Sequence, residues 1–147
     1  MSVAMSETQP RLLIPGLRGF YDWAGPVSWL LVRVTIGWML LPNAWAKWSH
    51  GVEWTAANIM AKRVPSLPSE PTALFIMVLE VAAALCIPLG LFTRFFAAAL
   101  AIQMAVIYAV MTGPSQSLAM MWGLIALAVA LRGGGPYSLD RLIGREL

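Results

Sequence analysis

The sequence predicts an all-α fold, a polytopic membrane four-helix bundle with short interfacial helices, in a single domain over residues 1–147. Composition carries the first half of that expectation. The chain is 59% hydrophobic and 12% charged, with a mean hydropathy of +0.72, whereas soluble domains are about 25% charged. The second half is the spacing of apolar stretches. Four of them, each bounded by proline or glycine, approach the roughly 20 residues needed to cross a bilayer. With short connections they use nearly all of the 147 residues, so no separate soluble catalytic domain is expected within the chain.

Taken in order, residues 1–10 are polar, and the apolar patch at residues 12–20 is broken by Pro15, Gly16 and Arg18. It lacks the unbroken core of a cleavable leader, and the first membrane helix is expected to act as the insertion signal. Residues 12–23 suit a short helix at the membrane surface. The first span is expected over 27–48, entered at Gly25-Pro26, where proline fits a first helical turn, with Pro42 positioned to kink its far end. A loop of about 49–70 follows, in which Val52, Ala56, Ile59 and Met60 recur at helical spacing beside Lys62 and Arg63, suiting a second interfacial helix before Pro65 and Pro68. The second span, 71–90, opens at Pro71 and closes at Pro88-Leu89-Gly90. The third, 93–112, stops at Gly113-Pro114. The fourth, 117–131, ends at Arg132-Gly133-Gly134-Gly135-Pro136, a run that no helix interior tolerates. At 15 residues that last span is short, which calls for an earlier start or a locally thinned bilayer.

Charge sets an expected orientation. With four spans, one side collects Arg11, Arg18, Arg94, Arg132, Arg141 and Arg145, and the other Lys47, Lys62 and Arg63. The excess places both termini in the cytoplasm of a bacterial-type inner membrane. The net charge of +3 flanks the spans rather than gathering on a polar face, so the bilayer, and not nucleic acid, is the expected partner. Cys86 is the single cysteine and cannot close an intrachain disulfide.

Two ionisable residues, Arg33 and Glu80, sit inside separate spans, and Gln103 lies inside a third. A charge at mid-bilayer costs about 2.5–3.5 kcal/mol on insertion scales and normally faces a partner or a polar cavity. By helical rise, Arg33 lies roughly 9 Å from the inner end of its span, and Glu80 and Gln103 about 15 Å from theirs. An arginine can bridge the remaining ~6 Å, so an Arg33–Glu80 ion pair supplemented by Gln103 is the expected intramembrane layer if the helices are neighbours. Arg33, Gly37, Leu40, Ala44 and Lys47 share one helical face, and Ile76, Glu80, Ala83 and Ile87 share another, both with small residues that permit close approach. Two readings are open: a clamp that fixes helix register, or the floor of a cavity for a polar head group or a proton path.

A second group, Lys47, His50 and Tyr108, is placed by depth near the outer surface as a vestibule, among Trp45, Trp48 and Trp54, which read as an interfacial belt. One histidine without a second nitrogen or thiolate ligand makes a protein-only metal site an unsuitable reading. The chain has no Cys-x-x-Cys-His and no paired histidines for haem, so no intrinsic cofactor is expected.

Several runs, met in order along the chain, resemble the DoxX family of membrane proteins. They are Leu30-Leu31-Val32-Arg33-Val34-Thr35-Ile36-Gly37 with Lys47 further along the stripe, Glu80 followed by Leu89-Gly90-Leu91-Phe92-Thr93-Arg94, and the ending Gly135-Pro136-Tyr137-Ser138-Leu139-Asp140. The likeness covers about residues 12–142. Where many members read His-Gly before the lysine, this chain has Asn43-Ala44, and His50-Gly51 follows it. The resemblance implies a four-helix membrane bundle. It also implies a membrane subunit linked to quinone-dependent redox chemistry, since relatives include the quinone-reducing membrane subunit of thiosulfate:quinone oxidoreductase. Quinone is then the candidate ligand, and other membrane or redox subunits are the candidate partners. The alternative is a non-catalytic accessory subunit packed on a larger respiratory or photosynthetic complex.

Overall fold

The computed structural model describes residues 14–144; the polar leader at 1–10, and Arg11 and Arg145 of the charge count, lie outside them. Among the described residues every regular element is helical. A 3-10 turn (Pro15–Leu17) leads into α1 (Arg18–His50). Short pieces follow: α2 (Val52–Thr55), a π-helical turn (Ala56–Met60) and α3 (Ala61–Arg63). Three long helices, α4 (Ser69–Leu89), α5 (Thr93–Val110) and α6 (Pro114–Arg132), complete the bundle, and α7 (Leu139–Ile143) closes the described chain. The four long helices are each apolar and long enough to cross a membrane, and the fold is an all-α polytopic membrane bundle. Two ends can be distinguished: a terminal face, where α1 begins and α6 ends, and a loop face, covered by residues 51–68.

The spans differ from expectation mainly at α1. Gly25-Pro26 does not start the helix; α1 begins at Arg18 and runs through both Pro26 and Pro42. Each proline removes one backbone bond, but an apolar 33-residue helix retains the rest. Residues 18–23 are therefore the first turns of α1 rather than a separate helix. The fourth span does begin earlier, at Pro114, with proline in the first turn, where its missing N–H is no loss. Pro88 sits inside α4, which ends one residue later in a Schellman arrangement. Gly90, at φ 73°, donates to Ile87 O, and Leu91 N donates to Cys86 O at 2.9 Å.

The small residues on the two expected stripes set the packing. Arg33, Ile36, Gly37, Leu40 and Ala44 are buried on α1, and Glu80, Ala83, Ala84 and Ile87 on α4. A Cβ at Gly37 would overlap the Pro88 ring and the Ala84 carbonyl oxygen. Since Pro88 has no N–H to offer that carbonyl, glycine lets α1 close against the very turn that proline leaves open. The core continues through Ala97 and Leu100 of α5 to Ala126 and Val129 of α6. Trp38, Phe75, Ile102 and Leu131 stay exposed, as an outer surface facing lipid requires.

Candidate functional site

Three polar side chains meet between α1, α4 and α5. Lys47 Nζ donates to both Glu80 carboxylate oxygens, at 2.5 and 2.6 Å, and Gln103 Nε2 donates to Glu80 Oε1 at 2.7 Å. Glu80 and Gln103 are buried, and the Lys47 side chain retains 18% exposure. The carboxylate accepts only, so the Gln103 amide must turn its NH2 toward Glu80 and its oxygen away. That oxygen, Oε1, is buried without a hydrogen-bond partner.

The cation at Glu80 is therefore Lys47, and not Arg33. Side chains lean toward the N-terminus of their own helix. On antiparallel α1 and α4, Lys47 leans toward the terminal face and Glu80 toward the loop face, and they converge. Arg33 leans away from Glu80. Its depth also differs from expectation: Arg33 packs beside Gly90, and Glu80 lies ten residues, about 15 Å, further along α4. The ~6 Å offset expected from the sequence came from setting residue 27 level with Gly90; in the structure Arg33 itself lies at that level, and α1 continues past it toward Arg18. The equal depth expected for Glu80 and Gln103 matches their hydrogen bond.

Arg33 belongs instead to a knot at the terminal face. It is fully buried, and its Nη2 donates to Tyr137 O at 2.6 Å, while Nε and Nη1 have no partner. Asp140 caps α5 from across the bundle: it accepts from Phe92 N at 2.7 Å, Thr93 N at 3.0 Å and Thr93 Oγ1 at 2.9 Å. Phe92 has a left-handed backbone, φ 47°, the sole positive φ outside glycine among the described residues. The carboxylate that binds its N–H holds that conformation in place. Trp29 Nε1 donates to Gly133 O at 2.9 Å, with Arg132 stacked over the indole at 4.5 Å.

Two cavities adjoin the Lys47–Glu80–Gln103 cluster. One, of about 320 Å3, lies between α4 and α5 beneath residues 59–67; Ile76, Leu79 and Val106 give it an apolar wall that Lys47 and Gln103 interrupt. Phe75 and Ile102, both on its rim, are exposed on the outer surface, so it opens toward lipid. The other, of about 370 Å3, lies at the loop face and is edged by Asn43, His50, Trp54, Arg63, Lys47 and Glu80. Lys47 borders both. His50 is exposed, with its ring edge-on to Trp54 at 4.3 Å between centroids. Tyr108 does not join this vestibule. It borders a separate groove between α5 and α6, because five residues of helix turn it about 140° from Gln103. Thus the expected vestibule divides: Lys47 and His50 share a cavity, and Lys47 joins the deeper layer.

The fold and this cluster define a polytopic four-helix membrane protein with a buried ion pair at the wall of a cavity that faces lipid. The DoxX family model matches residues 28–113, more than half of the chain and all three residues of the cluster. The chain belongs to the DoxX family. No match was found among curated proteins or among solved structures. Sequence reasoning missed the Lys47–Glu80 contact, although both residues lay on the predicted inward stripes. It also left Asp140 as a motif letter; an aspartate that caps a helix 47 residues away carries no local signal.

Proposed function

We propose that this DoxX-family protein is a membrane subunit linked to quinone-dependent redox chemistry, which binds a quinone head group at Lys47, Glu80 and Gln103. The observation that carries the reading is the juxtaposition of a buried ion pair with a cavity that opens toward lipid. A lipid-soluble ligand reaches such a cavity from the bilayer, its ring against Ile76, Leu79 and Val106. Lys47 has a third N–H beyond the two given to Glu80, and this donor suits a carbonyl oxygen. The loop-face cavity, edged by His50 and Glu80, offers a second approach to the ion pair from the loop side. At about 320 Å3 the volume falls at the lower end of ligand sites, roughly 300–1,000 Å3, appropriate to a ring whose tail remains in lipid. Electrons would come from a partner redox subunit. The charge distribution supports an inner-membrane protein with cytoplasmic termini. Arg18, Arg94, Arg132 and Arg141 lie at the terminal face, and once Lys47 is committed to Glu80, Lys62 and Arg63 remain at the loop face.

Titration of the protein in lipid nanodiscs with a short-tailed benzoquinone, followed by tryptophan fluorescence, tests the assignment. Saturable binding is expected, weakened at least tenfold in Glu80→Gln and Lys47→Met variants that remain monodisperse. Absence of saturable binding, together with extraction of the chain in a stoichiometric large complex, would assign the accessory role instead.

A further inference from the structure

We propose that the loop-face cavity is a second ligand site, for a small organic acid: a monocarboxylate with an apolar body about the size of one ring. It is separate from the quinone site, and its ligand needs no redox chemistry. The cavity, of about 370 Å3, is lined by α1, α4, α5 and the short helical pieces that follow α1. Its polar edge is mostly donor. Arg63 is exposed and makes no hydrogen bond or ion pair among the described residues. Asn43, also exposed, gives one amide N–H to Met39 O at 3.4 Å and keeps a second. The exposed Trp54 indole N–H has no described partner, and His50 meets Ser49 through Nδ1, which leaves Nε2. All four side chains keep accessible surface, so a guest can reach them.

Charge fixes the sign and number of the missing group. Glu80 is the carboxylate at this cavity, and its oxygens already accept from Lys47 and Gln103. Lys47 and Glu80 cancel, which leaves the Arg63 guanidinium uncompensated. One carboxylate matches that charge, and its two oxygens match the guanidinium fork. A dianion would leave one negative charge unmatched beside Glu80. Polarity also changes along the cavity: Leu40 and His50, both at its edge, are ten residues apart on α1, about 15 Å by helical rise. Leu40 and Met104 form an apolar inner end, and Arg63, His50 and Trp54 a polar outer one. The acid therefore enters body first, with its carboxylate held at the loop face and away from Glu80. The volume lies in the roughly 300–1,000 Å3 range of organic ligands, so a bare inorganic ion would leave the apolar end unfilled. Lys47 and Arg63 border the lipid-facing cavity as well, whereas Asn43, Ala46, His50 and Trp54 border this one alone of the two.

The test is calorimetric titration of the whole protein in nanodiscs of zwitterionic phosphatidylcholine, with heats from empty nanodiscs subtracted. The probes are benzoate, its uncharged analogue benzamide, acetate and sulfate. Benzoate is expected to saturate and to bind at least about tenfold more tightly than benzamide, which lacks the charge, and than acetate, which lacks the body. Arg63→Gln should weaken benzoate by about tenfold or more. Ala46→Trp, which fills the cavity from an exposed position, should abolish its binding. Both substitutions are at exposed positions, so folding should be retained, and the probe comparison needs no variant. Benzamide equal to benzoate would overturn carboxylate recognition, and acetate or sulfate equal to benzoate would overturn the organic body. Unchanged benzoate binding in Ala46→Trp would overturn the location, and no saturable benzoate binding would overturn the site itself. None of these titrations contains quinone, so each of those results leaves the lipid-facing site standing.

Discussion

The bundle buries charge at both ends, and the two burials are built differently. At the terminal face, Arg33 and Asp140 bond mainly to backbone, Tyr137 O for the arginine and Phe92 and Thr93 N–H for the aspartate, with the Thr93 hydroxyl as the one side-chain partner described. Their surroundings are filled, since a Cβ at Gly90 would strike both Arg33 Nη1 and Ser138. Toward the loop face, Lys47, Glu80 and Gln103 bond to one another, with a cavity on each side. A buried charge in a membrane helix is therefore not by itself a ligand site. Charges tied to backbone hold segments together; those tied to side chains beside open volume can exchange partners with a guest. That contrast is the reason the proposed ligand site is drawn at Glu80 and Gln103 with Lys47, and leaves out Arg33.

The largest effect should come from the terminal knot. Asp140→Ala removes three acceptor contacts from the start of α5. Removing one partner from a buried charged arrangement typically destabilises by about 3–5 kcal/mol, and a fall of that order is expected in unfolding with increasing SDS in mixed micelles. Asp140→Asn, which keeps one acceptor oxygen, should fall between. Quinone affinity of the folded fraction should stay within about twofold of wild type. Lost affinity with unchanged stability would reverse the roles of the two ends.

Much of this contrast was legible in the sequence, and the missing part has a physical cause. The four spans, both inward stripes and the equal depth of Glu80 and Gln103 follow from hydropathy and a rise of about 1.5 Å per residue. Each is a property of one helix at a time. Which cation on the α1 stripe meets Glu80 is a property of two helices, fixed by the Gly37–Pro88 approach and by the lean of side chains on antiparallel axes. Arg33 and Lys47 occupy equivalent positions on that stripe, and periodicity does not choose between them. The Gly90–Arg94 turn and the Ser138–Asp140 ending were visible as separate motifs; their union through Asp140 is a tertiary contact. The start of α1 was misplaced because Gly25-Pro26 is a local helix-starting signal that a long apolar helix overrides.

An intermediate effect is expected at the ion pair, where a double-mutant cycle sharpens the contrast. Lys47→Met leaves the Glu80 carboxylate buried with Gln103 as its remaining partner among those described, and about 2–3 kcal/mol of stability should be lost. Glu80→Leu should cost less, since Lys47 borders the loop-face cavity and can extend into it. The double variant should fall short of the sum by about 1–2 kcal/mol, as contacting residues do. All three should lose quinone affinity at least tenfold. Strict additivity would mean that the pair does not act as a unit, and the cluster would then resemble the terminal knot in stability but not in connectivity.

The smallest effect should come from Tyr108→Phe, which probes where the loop-face cluster ends. Tyr108 is half-exposed and lines the groove between α5 and α6, on the far side of α5 from Gln103. Loss of its hydroxyl should change stability by less than about 0.5 kcal/mol, as at surface positions generally, and leave quinone affinity unaltered. About 7.5 Å along α5 from Gln103 and turned roughly 140° from it, Tyr108 is a control for the α4 side of that helix. If Tyr108→Phe weakened binding as much as Glu80→Gln, the ligand would have to contact both sides of α5, which a single cavity between α4 and α5 does not allow. A null result for Tyr108 beside a clear loss for Gln103 would confine the site to the α4 side of α5, where the ion pair lies.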